Sequence, residues 1–281
     1  MEYQSPRDLI PKIDDLGYVI EEELATVLYL MMHLEKPLLL EGNPGVGKTK
    51  VAYILSDLLD YELVRLQCYE GLDVNNAIYE WNYQKQLLAI KIHENSEKSE
   101  AEKESLIFGE DYLLKRPLLQ AISAGKRKVL LIDEIDRADE EFEAFLLELL
   151  SEFQISIPEI GTIKAAQPPL VILTSNRTRE LSDALKRRCL YHWVNYPSKE
   201  KEIKIIQKHI PDVEQELAVQ IADYVQRMRQ LKLDKAPGIA ETIDWAKGIA
   251  LMKNADDPLL ETLSCVLKSD QDIQKVKSEF F

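Results

Sequence analysis

The sequence predicts an α/β fold, a parallel sheet buried between helices, followed by a smaller domain made of helices alone. Three observations lead there. Five short apolar runs of strand length, "PLLLE" (37–41), "ELVRLQ" (62–67), "KVLLID" (128–133), "PLVILTS" (169–175) and "LYHWVNY" (190–196), are continuous rather than alternating, as strands covered on both faces require. Helical patterns separate them, the order that gives parallel crossovers. After Pro197 only helical patterns remain, at 198–209, 212–231, 238–252 and 258–268. A boundary there gives domains 1–197 and 198–281.

In chain order, residues 21–35 carry Leu24, Val27, Leu28, Met31 and Met32 at helical spacing behind an acidic first turn, which suits the helix dipole. That helix is expected to end at Pro37, where the first strand begins. The connection 68–127 is too long for a plain loop. It reads as a helix, an exposed acidic insert around 94–104, and a second helix at "RPLLQAIS". Phe142, Phe145, Leu146, Leu149, Leu150 and Phe153 form the apolar stripe of a helix opened by Asp139, Glu140 and Glu141. In "QISIPEIGTIKA" (154–165), Ile155 and Ile157 alternate before a turn and Ile163, which predicts a β-hairpin.

Composition narrows the partners. The chain has 281 residues with Lys plus Arg 35 against Asp plus Glu 49, a formal charge of −14. Nucleic acid is therefore a disfavoured partner. Cys68, Cys189 and Cys265 have no CxxC spacing, so neither a disulfide framework nor a zinc site is suggested, and a reducing cytoplasm fits. The first residues lack a basic segment followed by an apolar one, and no apolar run reaches membrane-spanning length. No stable membrane insertion is expected.

"EGNPGVGKT" (41–49) satisfies GxxxxGK[ST] directly after an apolar strand and before a helical pattern, the context a phosphate-binding loop needs. Glycines let backbone amides turn inward as a nest for phosphate oxygens, and the helix start adds its positive end. The segment Gly42, Asn43, Pro44, Gly45, Val46, Gly47, Lys48, Thr49 and Lys50 is thus expected to hold ATP. Lys48 would meet the β and γ phosphates, and Thr49 would ligate Mg²⁺. Downstream, "VLLIDEIDRADEE" (129–141) ends a buried strand on Asp133 and Glu134, at the edge where open α/β sheets bind ligands. Asp133 would reach Mg²⁺, directly or through its water, and Glu134 would activate the attacking water.

With both motifs placed, the sequence resembles AAA+ ATPases of the MoxR family, closest to the CoxD-like branch. The similar stretches run from "GYVIEEELATVLYLMMHLEKPLLLEGNPGVGKT" through "DEIDRADEEFEAFLLELLSEFQISIPEIGTIKA" and "LTSNRTRELSDALKRRCLYHWVNYP" to "APGIAETIDWA", about residues 17–247. The resemblance implies a P-loop AAA+ core with strand order 5-1-4-3-2, a β-hairpin insert before the sensor 1 strand, a helical lid, and a homo-oligomeric ring, commonly a hexamer. It makes Asn176 the sensor 1 residue and Arg188, with Arg187 as a near alternative, the arginine finger acting on a neighbouring subunit. Lys186 and its neighbours equally suit the dipole at a helix end. The resemblance also puts Tyr18, Val19 and Ile20 beside the adenine. Where many relatives carry a sensor 2 arginine, this chain reads "KAPGIAETIDW"; Lys235 is the candidate substitute.

The resemblance further implies an ATP-driven chaperone that remodels a client, for this branch a metalloenzyme such as a molybdenum hydroxylase, with a von Willebrand A domain partner. The rival is a DNA-handling ATPase of helicase or clamp-loader type using the hairpin as its contact, against which the hairpin offers only Lys164 beside Glu159. A nucleotide-gated scaffold without turnover is opposed by Glu134. His33, His93, His192 and His209 lack ligand-like spacing, and "YEWNY" (79–83) reads either as a contact surface or as packing of the insert.

Overall fold

The computed structural model describes residues 3–93, 108–123, 125–158, 160–252 and 255–281. The acidic insert 94–104 and Glu159 of the hairpin turn lie outside the described residues. Strands are β1 (Leu38–Gly42), β2 (Glu62–Gln67), β3 (Tyr79–Trp81), β4 (Leu113–Lys115), β5 (Lys128–Asp133), β6 (Gln154–Ile157), β7 (Gly161–Lys164), β8 (Leu170–Ser175) and β9 (Leu190–Val194). The five apolar runs form one sheet ordered β2-β5-β8-β1-β9. From β9 this is the fifth, first, fourth, third and second run, the expected 5-1-4-3-2.

Registers explain why the chemistry gathers at one edge. Gln67 pairs with Asp133, Ile132 with Leu173, and Glu41 with Ser175, all in parallel. The carboxyl ends of β5, β8 and β1 therefore finish within two residues of one another. Leu38–Leu40, Val129–Ile132, Ile172 and Leu173 are fully buried, each such side chain stabilising the fold by about 1.5–3 kcal/mol.

The chain's contacts divide it into two compact units. One comprises 27–41 and 55–192. In its core, Phe142, Leu146, Leu149 and Leu150 of the helix Glu140–Glu152 share a cluster with Leu130, Ile132, Val171 and Leu173. Asp139 starts that helix by accepting from Phe142 N at 2.8 Å, and left-handed Phe153 (φ 49°) ends it. β6 and β7 follow as the expected antiparallel hairpin. The long connection contains, besides helices Val74–Ile78, Tyr83–His93 and Pro117–Ile122, an antiparallel ribbon of β3 with β4. The ribbon divides "YEWNY": Trp81 is buried, whereas Tyr83 is exposed.

The other unit comprises 1–26, 42–54 and 193–281. Its helices Lys199–His209, Gln215–Gln230 and Ile239–Leu251 close on a core holding Ile206, Ile221, Val225, Met228 and Trp245. The expected helix 258–268 is two short ones, Pro258–Glu261 and Leu263–Val266. They are interrupted at Thr262, whose Oγ1 accepts from Trp245 Nε1 at 2.9 Å. Two helices have no counterpart in the sequence reading, Pro6–Asp15 and Asp270–Phe280. Among the described residues, no helix is long and apolar enough to cross a membrane.

Candidate active site

The phosphate loop leaves β1 at Gly42 and enters the helix Lys48–Leu59. Gly45 (φ +76°) and Gly47 (φ +92°) adopt the left-handed conformations that bend successive amides to one side. A Cβ on Gly42 would lie 2.3 Å from Val194 O, so the loop's first glycine is required by packing. Lys48 is buried, with Nζ donating to Gly42 O at 2.7 Å and Asn43 O at 2.8 Å. Asn43, Pro44 and Lys50 are exposed, Val46 is buried and Thr49 half-buried. The Tyr18 ring comes within 3.9 Å of a Cβ built on Gly47. Tyr18, Val19 and Ile20 are all half-buried. Burial first, then the charge of Glu21, pushes the Tyr18 phenol above its usual range.

The acidic edge is built from β2, β5 and β8. Asp133 is buried. Its Oδ2 accepts from Arg65 Nη2 at 2.6 Å and Nε at 3.1 Å, and its Oδ1 from Thr174 Oγ1 at 2.6 Å. Thr174 Oγ1 in turn accepts from Glu134 N at 2.9 Å. That bond holds Glu134 in a left-handed conformation (φ 55°, ψ 50°), which costs a non-glycine residue about 1–2 kcal/mol. The Glu134 carboxylate is held on both sides, with Arg137 Nε 2.9 Å from Oε2 and Asn176 Nδ2 3.4 Å from Oε1. The expected acid and sensor residues thus meet, forty-two positions apart in sequence.

Asp136, which the sequence reading did not single out, ties the end of β8 to the loop after β5. Its buried carboxylate accepts from Asn176 N at 3.2 Å, Thr178 N at 2.8 Å and Thr178 Oγ1 at 2.7 Å. Nearby, Arg179 pairs with buried Glu143 at 2.5 Å and donates to Ala138 O. Arg65, Thr174, Asp136 and Arg137 are the functional-site residues that sequence reasoning missed. The available signals were a cation between apolar Val64 and Leu66 for Arg65, and a hydroxyl closing the apolar run Leu170–Leu173 for Thr174.

A family model described as "AAA domain (dynein-related subfamily)" matches residues 37–189. The chain belongs to that AAA family. An uncharacterized protein of Staphylococcus aureus (strain bovine RF122 / ET3-1) is 30% identical over 172 residues, covering 59% of this chain and 58% of the relative. Another, of Staphylococcus epidermidis (strain ATCC 12228 / FDA PCI 1200), is 31% identical over 173 residues with the same shares covered. The match therefore spans less than two thirds of these relatives' length. Two mutants of Thermotoga maritima RuvB share the fold. One has a TM-score of 0.54 at 20% identity, covering 96% of this chain and 73% of that one; the other has 0.52 at 19%, covering 99% and 73%.

In this AAA chain the basic triplet ends the helix Asp183–Arg188. Arg188 donates from Nε to Ser151 Oγ at 2.8 Å and from Nη1 to Ala184 O at 3.1 Å. Arg187 is exposed. Lys235 is exposed as well, its amide donating to Asp272 Oδ2 at 3.2 Å.

Proposed function

We propose that this AAA chain binds and hydrolyses Mg-ATP and, as a homo-oligomeric ring, most simply a hexamer, uses the cycle to remodel a client protein. The observation that carries the reading is the Glu134 carboxylate, held between Asn176 and Arg137 at the end of a buried strand, in a chain that also carries the complete phosphate loop. Thr49 and Asp133 are hard oxygen donors of the kind Mg²⁺ takes, alongside its retained waters. Bound there, the ion would neutralise charge on the β and γ phosphates. Lys48 holds those phosphates, the loop amides orient them, and Tyr18, Val19 and Ile20 pack beside the base. Glu134 accepts a proton from the attacking water, and Asn176 keeps the carboxylate and that water aligned. Arg188, or Arg187 beside it, reaches the γ-phosphate of a neighbouring protomer and stabilises the charge that develops on transfer. The nucleotide-binding part is residues 1–197 and the lid 198–281.

The resemblance to the CoxD-like branch of the MoxR family makes the client a metalloenzyme under maturation, particularly a molybdenum hydroxylase. It adds a von Willebrand A domain protein as partner and the cytoplasm as location. The net charge of −14 supports a protein client over nucleic acid. A Glu134→Gln variant that binds ATP without turnover should hold its client. Co-purification of a metalloenzyme subunit with the ATP-loaded variant is the expected result. Recovery of nucleic acid, with turnover stimulated by DNA and strongly salt-dependent, would replace the chaperone reading with a DNA-handling one.

A further inference from the structure

We propose that the lid helix Ile239–Leu251 aims one of the phosphate-binding amides, Val46 N–H, and that Ile239 is a positioning residue for the nucleotide. The inference rests on the ATP-binding reading and deepens it. Ile239 N donates to Gly45 O at 2.8 Å. The Gly45–Val46 peptide is trans, so its N–H points opposite to its carbonyl. A carbonyl held toward the lid helix turns Val46 N–H away from that helix, in a loop whose amides form the anion nest. Gly45, at φ +76° and without a side chain, leaves this peptide free to turn unless something outside the loop holds it. Ile239 supplies the hold.

Two glycines let the backbones come this close. A Cβ on Gly238 would lie 2.7 Å from Gly45 Cα and 2.9 Å from Gly45 O, and a Cβ on Gly45 would lie 2.9 Å from Gly238 Cα. Any side chain at either position pushes loop and helix apart. Behind Gly238 a buried network fixes where the helix starts. Arg229 Nε donates to Pro237 O at 2.9 Å, while Nη1 and Nη2 donate to Glu202 Oε2 and Oε1 at 2.8 and 2.7 Å. Thr242 Oγ1 lies 2.9 Å from Gly238 O and 3.2 Å from Glu202 Oε1. Arg229 and Glu202 are 6% and 1% exposed. The lid's Arg229 is thus committed to Pro237 O and Glu202, and the lid helix's hydrogen bond to the phosphate loop comes from a backbone amide, with Ile239 Cδ1 and Glu241 Oε2 packed beside the loop glycines.

The helix start permits a clean test. Gly238 is extended (φ −86°, ψ −175°) and Ile239 is the first helical residue, so proline at 239 suits the helix itself, but it removes the N–H and puts a ring methylene where Gly45 O now sits, which pushes the loop carbonyl away. Ile239→Ala removes most of the side chain but keeps the amide. Titrated with a fluorescent ATP analogue and Mg²⁺ on the full chain, Ile239→Pro should bind at least threefold more weakly than Ile239→Ala, the scale of one hydrogen bond. Gly238→Ala should weaken binding in the same direction. Equal affinities of the two position-239 variants overturn the inference while leaving ATP binding by the wild type intact. If Ile239→Pro does not fold, unchanged affinity in Gly238→Ala overturns it instead. A wild-type chain that binds no ATP overturns the inference and the functional reading together.

Discussion

Replacing Asp136 with alanine removes the clamp between the loop that carries Glu134 after β5 and the segment that carries Asn176 after β8. Its carboxylate accepts three hydrogen bonds, two from the amides of Asn176 and Thr178 and one from the Thr178 hydroxyl, and is 3% exposed. At about 1.5 kcal/mol for each bond to a charged acceptor, the three are worth about 4.5 kcal/mol. Water entering the space left behind reduces the expected loss to about 3 kcal/mol. A domain with an ordinary reserve of about 5–15 kcal/mol stays folded, so stability and activity can be read on the same variant. Urea unfolding should show the loss, and turnover should fall at least tenfold, because Asn176 no longer holds the Glu134 carboxylate at a fixed place. Asp136→Asn, which keeps the shape but turns an N–H₂ toward donors, should fall in the same direction. A stability loss below about 1 kcal/mol together with wild-type turnover would refute the reasoning.

Arg188→Ala should suppress turnover by two orders of magnitude or more while sparing ATP binding, and mixing it with Glu134→Gln should restore part of the activity at mixed interfaces. No recovery, with both variants assembled, counts against action in trans, and a larger loss from Arg187→Ala would transfer the role to the exposed neighbour. Glu202→Ala leaves Arg229 buried without its counter-ion and should cost about 3–5 kcal/mol in urea unfolding; a loss under about 1 kcal/mol would show that the pair does not hold these helices together. Burial, aided by Asp133, pushes the Cys68 thiol up to about 12. Burial, opposed by Arg188, pushes Cys189 up to about 12 as well. Because the unfolded thiols ionise first, near pH 9, their contribution to stability is fully present below pH 9 and is lost as pH rises toward 12. Native protein should therefore resist iodoacetamide at both cysteines at pH 8, and rapid labelling of Cys68 before unfolding would contradict this.

Much of the sheet was legible because its buried strands β1, β5 and β8 are continuous apolar runs, as in "KVLLID" before Glu134. The phosphate loop was legible because its spacing is fixed by backbone geometry. The second layer was not. Thr174 and Arg65 read as ordinary strand residues until register brings both onto Asp133, and Asp136 looked like one more acid in an acidic loop. The helix Pro6–Asp15 was hidden by Pro11, a residue that normally breaks helices. The helix Asp270–Phe280 carries too sparse an apolar face, Ile273, Val276 and Phe280, to stand out from its charges. The ribbon of β3 and β4 pairs residues more than thirty positions apart, and local periodicity carries no signal for such pairing. The contact of Gly238 with Gly45 was invisible for a different reason: it joins main chain to main chain, and no arginine at that place marks it.

The most direct test of the account measures ATP binding and phosphate release side by side for the wild type and Glu134→Gln. The account expects the wild type to turn over ATP in the presence of Mg²⁺. Glu134→Gln should bind nucleotide with similar affinity and release phosphate at least a hundredfold more slowly, within the range for loss of a general base. Equal phosphate release by the two proteins would contradict the assignment of Glu134, and no release by the wild type would contradict the ATPase itself.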